Sequence, residues 1–152
     1  MKLQDLASSI VVYVGQDASV TEAARLMRAR HTGCVVVVAD AGRGPVDPVG
    51  ILTDRDLVVE VLAQEVDLRS IAVKDVMTTN PVVATVDDGL FETLNRMRAQ
   101  GIRRVPVIGA DGQVVGLFST DDALSVFASA LSDIDALIVA EQRHERSARA
   151  GA

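Results

Sequence analysis

Two short segments carry residue types able to hold a small polar ligand: GILTDRD, from Gly50 to Asp56, and GLFSTDD, from Gly116 to Asp122. Each follows a β-rich run and precedes an apolar helical pattern, so Thr53 and Ser119 fall where a strand hands over to a helix. The first amides of a helix carry partial positive charge and lack intrahelical partners, so such a junction favours an anion. A hydroxyl there adds a donor. One turn on, the carboxylate of Asp56 or Asp122 offers acceptors to a vicinal diol such as a ribose. Gly50 and Gly116, lacking a side chain, let the backbone pass close to a ligand. A hydroxyl followed three places later by an acid also meets the needs of plain N-terminal capping, and on these residues alone both roles stay open.

The duplication extends well beyond the two motifs. At an offset of 70 residues Asp5 falls on Asp75, Asp17 on Asp87, Glu22 on Glu92, Met27 on Met97 and Val35 on Val105. The offset then drops to 66, where Gly50 falls on Gly116 and Asp56 on Asp122. The change is confined to one connection, Ala39 to Val49 in the first copy against Gly109 to Val115 in the second, as expected of a surface loop. A unit used twice predicts twin sites.

Each copy reads as β-α-β-β-α. Strands are expected at Ile10 to Val14, Cys34 to Val38 and Val49 to Leu52, and again at Val82 to Val86, Val105 to Ile108 and Val114 to Phe118, because branched side chains suit a pleated surface. The first helix carries Val20, Ala23, Ala24 and Met27 on one face behind a Ser19/Glu22 capping pattern; its counterpart starts near Asp88 and carries Leu90, Phe91, Leu94 and Met97. The closing helices run from about Asp54 to Gln64 and from about Asp121 onward. An apolar lead-in precedes each copy, Leu3 to Ala7 and Val73 to Met77. The expected division is residues 3–66 for the first repeat with its leader, 67–131 for linker and second repeat, and 132–152 for a C-terminal helical extension and tail. Ile134, Leu137 and Ile138 continue the apolar stripe into that extension, as one long helix or a broken pair. The stripe needs cover, and a second identical chain is the expected source.

Composition excludes several classes. A formal charge of −6, with Lys2 and Lys74 the only lysines, opposes binding along a nucleic-acid backbone. Tyr13, Phe91, Phe118 and Phe127 leave little aromatic surface for stacking on bases. Cys34 is the only cysteine, so no intramolecular disulfide forms, and its valine-rich setting marks a buried apolar residue. His31 and His144 form no compact ligand set with it, and no metal site is expected. GRGPVDP, Gly42 to Pro48, lacks the lysine and hydroxyl of a phosphate-binding P-loop and reads as a connection. No uninterrupted apolar run approaches the roughly 20 residues that span a bilayer, and the N-terminal stretch lacks a secretion pattern, so the expectation is a cytoplasmic protein without membrane contact. No paired nucleophile and base appears, and no catalysis is expected.

With the two Gly-hydrophobic-x-(Thr/Ser)-x-x-Asp motifs, the leader DVMTTNPVV at Asp75 to Val83 and IRRVPVI at Ile102 to Ile108, the chain resembles a tandem cystathionine-β-synthase (CBS) domain pair over roughly Leu3 to Leu131. The resemblance implies a mixed α/β (α+β type) fold of two β-α-β-β-α repeats packed as a pseudo-twofold pair, a cleft between them that commonly takes adenosine derivatives, and dimers. Carried over, Asp56 and Asp122 would hold ribose hydroxyls, and Thr53 and Ser119 would contact phosphate. Segments Thr78 to Val82 and Ile102 to Val105 would contact the base, with Ser8 to Val12 and Thr32 to Val35 as the twin surfaces. The copies differ at two points. Val105-Pro106-Val107 is answered by Val35, Val36 and Val37; Arg55, placed to attract phosphate, is answered by Asp121, which would repel it. Arg103 and Arg104 would compensate beside Ser119 or serve the opposite copy across the cleft.

The expected function is a stand-alone regulatory module whose ligand is an adenosine mono-, di- or triphosphate, with no obligatory cofactor, a homodimer as its assembly and an unidentified protein as its target. The alternative is a ligand-free dimerisation or partner-binding module.

Overall fold

The computed structural model describes residues 1–39 and 47–150. Most of the longer connection of the first copy, including Gly42, and the last two residues lie outside them.

In the first repeat β1 (Tyr13–Gly15), α1 (Val20–Arg30), β2 (Cys34–Val38) and β3 (Pro48–Thr53) are followed by a helical segment, α2, over residues 54–62. The second repeat follows the same order: β5 (Ala84–Thr85), α3 (Leu90–Gln100), β6 (Arg104–Ile108), β7 (Val114–Ser119) and α4 (Thr120–Ala150). β2 is central, parallel to β1 and antiparallel to β3; β6 stands likewise between β5 and β7. The opening strands are shorter than expected and lie nearer the helices, because residues 10–12 and 82–83 make no regular ladder.

The five residues of β2 are all buried, since both faces of the strand are covered. Val35 and Val37 pack with Ala23 and Met27 of α1. Val36 and Val38 face the other sheet, packing with Val114, Val11, Tyr13 and Leu117. The Tyr13 hydroxyl donates to the Val114 carbonyl at 3.1 Å, tying the sheets together.

The leaders change places. Each reads in sequence as part of the copy it precedes, yet Leu3 lies fully buried among Ala84, Leu90, Met97 and Phe118 of the second repeat. Val73 lies among Val14, Ala23, Val35 and Leu52 of the first. The Leu3 and Gln4 amides donate to the Asp88 and Val86 carbonyls (3.0 and 3.1 Å), and those of Val73 and Lys74 to Ala18 and Gln16 (both 2.9 Å). The ion pairs Lys2–Asp87 and Lys74–Asp17, both 2.6 Å, repeat the exchange at the surface. Beyond its leader turn, Thr78–Thr79 adds to β3 as β4, and Ser8 bridges Leu117 of β7.

The closing helices differ. α2 opens as one α turn, Asp54–Asp56, and continues as π-helix, Leu57–Leu62. The Ala63 and Val66 amides reach back five residues, to the carbonyls of Val58 and Val61, which matches the wide apolar spacing of Leu57, Val61 and Val66. α4 is one continuous helix of 31 residues. Beyond the body its apolar side chains stand in solvent, Leu131 at 67% and Ile134 at 57% exposure. By length and composition its stretch 120–147 is long enough and apolar enough to cross a bilayer, although serines and aspartates interrupt every apolar run in it. Asp133 and Asp135 sit within it, and each costs roughly 2.5–3.5 kcal/mol at a bilayer centre.

Candidate functional site

Both strand-to-helix junctions form closed capping arrangements. Asp56 Oδ2 accepts from the Thr53 amide and the Thr53 hydroxyl, both at 2.8 Å, while Thr53 Oγ1 accepts from the Asp56 amide at 3.2 Å. Asp122 Oδ2 accepts likewise from the Ser119 amide (2.8 Å) and hydroxyl (2.6 Å), and the Asp122 amide donates to Ser119 Oγ at 3.2 Å. The hydroxyl proton of each junction therefore points at its own aspartate. The opening amides of α2 are also taken: Asp54 N donates to the Gly33 carbonyl at 3.1 Å and Arg55 N to Asp54 Oδ1 at 2.8 Å. This corrects the expectation of unpartnered amides and a spare hydroxyl for an anion. What the Asp56 motif offers a ligand is its second carboxylate oxygen, Oδ1, and the charged side chains around it.

Gly50 and Gly116 also have a different role. A Cβ on Gly50 would strike the Met77 side chain and come within 3.0 Å of the Thr78 carbonyl; one on Gly116 would come within 3.0 Å of the Ser8 carbonyl. The missing side chain admits the exchanged leader strand.

A cavity of about 430 Å³ lies where the repeats meet. It unites Thr53, Arg55 and Asp56 of the first repeat with Thr78 of the leader and Ile102, Arg103 and Arg104 of the second. Asn80, Pro81 and Val82 line it too, within the segment expected to meet a base. Ser119 and Asp122 stand outside it, at the twin junction. Arg103 and Arg104 line the same cavity as Asp56, although their backbone pairs with the Ser119 junction, Arg104 opposite Ser119 in the ladder and the Arg103 carbonyl accepting from the Thr120 amide at 3.0 Å. Ile51, Asp54, Gln100, Gly101 and Pro106 complete the wall; of these, Pro106 stands out in the sequence as the departure from Val36 in the first copy, and the others are not singled out there as ligand contacts. Among the described residues, Arg55, Arg103 and Arg104 make no ion pair.

Cys34, opposite Thr53 in the β2–β3 ladder, is buried just behind this wall. Burial pushes its thiol up to about 11, Arg104 pulls it down, and Asp56 and Asp54 push it further up, so the thiol lies within the field of the cavity's charges. His31 ends α1 in the left-handed region, its amide directed to the Met27 and Arg28 carbonyls.

Two α/β repeats with exchanged leaders and an inter-repeat cavity walled by one repeat's Thr-x-x-Asp junction define a paired-repeat module. A family model described as the CBS domain matches the chain twice, at residues 3–63 and 73–129, and the chain belongs to that family. Uncharacterized protein YlbB of Bacillus subtilis is 35% identical over 106 residues, 70% of this chain and 69% of that protein. Uncharacterized protein MK0525 of Methanopyrus kandleri is 29% identical over 122 residues, 80% of this chain but only 60% of the relative, so this chain spans less than two thirds of it. Among solved structures, the CBS domain pair of protein MJ0100, in complex with 5'-methylthioadenosine and S-adenosyl-L-methionine, superposes with a TM-score of 0.73 at 24% identity, covering 86% of this chain and 98% of that one. The CBS domain protein PAE2072 from Pyrobaculum aerophilum, complexed with AMP, gives 0.71 at 24% identity, covering 80% and 89%. At such identities the likeness concerns the fold.

Proposed function

We propose that this CBS pair is a regulatory module that binds an adenosine nucleotide in the cavity between its repeats. The observation that carries the reading is the convergence there of Asp56, the leader segment from Thr78 and the Ile102–Arg104 segment. Asp56 Oδ1 receives the ribose hydroxyls while Oδ2 stays in the cap. Thr78, Val82 and Ile102 flank the base, and the arginines face the phosphates. AMP in one structural relative and adenosine-derived ligands in another support the ligand class. Binding regulates if the two repeats, or the module and its target, have arrangements that differ in affinity for the ligand.

Isothermal titration of AMP, ADP and ATP tests this. Wild-type protein binds at least one of them, and Asp56→Ala weakens binding tenfold or more, in line with hydrogen bonds to a charged group. A folded protein that binds none would instead favour the second reading, a ligand-free pairing or partner-binding module, in which both capping boxes serve structure alone.

The assembly belongs to the same proposal. Leu124, Phe127, Leu131, Ile134 and Ile138 recur at alternating three- and four-residue steps along one exposed face of α4. That seam suits pairing with a second copy. Asp133 and Asp135, beside it on the same helix, disfavour lipid as the cover.

A further inference from the structure

The two junctions are built alike, so the differences around them show what each can accept. The cavity beside Asp56 is lined by Arg55, Arg103 and Arg104 against Asp54 and Asp56, three cations to two anions. At the matching positions of the twin junction stand Asp121, Gly33 and Cys34 for the arginines, Thr120 for Asp54 and Asp122 for Asp56. Arg30, in the place of Gln100, is the one cation there. The balance therefore reverses from one side to the other.

The apolar part of the wall differs too. Pro81 and Pro106 line the cavity. Their counterparts are Val11 and Val36, and Val36 is fully buried, with Val11 packed against it in the core between the sheets. The wall thus carries two prolines on one side and two valines on the other.

The opening amides of α2 are satisfied internally, so no backbone nest remains for an anion. Attraction for phosphate must come from guanidinium groups, which hold phosphate oxygens through charge-assisted, often bidentate hydrogen bonds.

We infer that the chain binds one ligand, in the Asp56 cavity only, and that Arg55, on one wall, and Arg103, on the other, select phosphorylated adenosines over uncharged or sulfonium-bearing ones. The inference rests on the reading of this cavity as an adenosine site and adds stoichiometry and charge selection to it. Three guanidiniums exceed what a single phosphate needs, so affinity rises from AMP to ATP and falls with added salt. A sulfonium nucleoside brings positive charge to a cationic wall and is disfavoured.

The test uses the full chain, with ATP, AMP, adenosine and S-adenosyl-L-methionine as probes, titrated by calorimetry and, for weak binders, by NMR chemical-shift mapping. The expected result is one ATP per chain, ATP tighter than adenosine by about a hundredfold or more, and S-adenosyl-L-methionine no tighter than adenosine. Arg55→Gln and Arg103→Gln, at exposed positions, each weaken ATP about tenfold and leave adenosine within about twofold. Two ATP per chain, equal affinity for ATP and adenosine, or an equal loss for both in the arginine variants would overturn the inference while leaving an adenosine site in place. Failure of every adenosine compound to bind would remove the site itself.

Discussion

At the scale of single residues, capping and the proposed ligand recognition are divided between the two oxygens of one carboxylate. Asp56 Oδ2 fixes the junction through Thr53, which holds Oδ1 in one place. Cys34 reports on the same wall from behind. Its thiol, pushed up to about 11 by burial, is almost wholly protonated at neutral pH, and only the thiolate is reactive. The native protein is therefore expected to react with a thiol reagent at pH 8 far more slowly than the denatured chain does. The linkage sign follows: the folded thiol titrates above its unfolded value near 9, so this group's contribution is intact below pH 9 and is lost as pH rises from about 9 to 11. Cys34→Ala should flatten the stability profile in that window, measured by denaturant titration. Fast native labelling at pH 8 would show the thiol to be accessible.

Among elements, the exchanged leaders are the feature with the largest energetic consequence. Leu3 contacts nothing of the repeat it precedes in its buried cluster, and truncation of a buried leucine costs about 2–5 kcal/mol. Leu3→Ala is expected to lower stability by about that amount, and native-state hydrogen exchange should speed up in α3 and β6 while α1 and β2 change little. Faster exchange confined to α1 and β2 would mean that the leader serves its own copy. The exchange also makes each repeat dependent on the other's N-terminal segment, which fits units too small to bury a sufficient core alone. It supplies the strand β4, whose Thr78 lines the cavity, so the element that joins the repeats also walls the candidate site.

For the whole molecule, the open question of surface is α4. Its seam of Leu131 and Ile134 leaves the body uncovered, and solvated side chains of this size gain roughly 1.5–3 kcal/mol each on burial. The proposed homodimer predicts a sedimentation mass twice that of the chain, and Leu131→Asp with Ile134→Asp should return it to the monomer without changing nucleotide affinity in the Asp56 cavity. A wild-type monomer at micromolar concentration would refute pairing through this face.

The sequence by itself determined the repeat, the order of its elements and the residues of the junctions, because offset, hydrophobic period and capping chemistry are local properties written along the chain. β2 and β6 were legible as runs of branched residues, and Thr53, Arg55 and Asp56 as a motif. Which copy each leader would join was not legible: Leu3 and Val73 present the same apolar face to either repeat, and only the packed pair shows that each crosses over. Nor could spacing reveal that Arg103 and Arg104 line the same cavity as Asp56, with Ser119 outside it. Those outcomes depend on how two similar sheets approach one another, and that approach is set by side chains far apart in sequence.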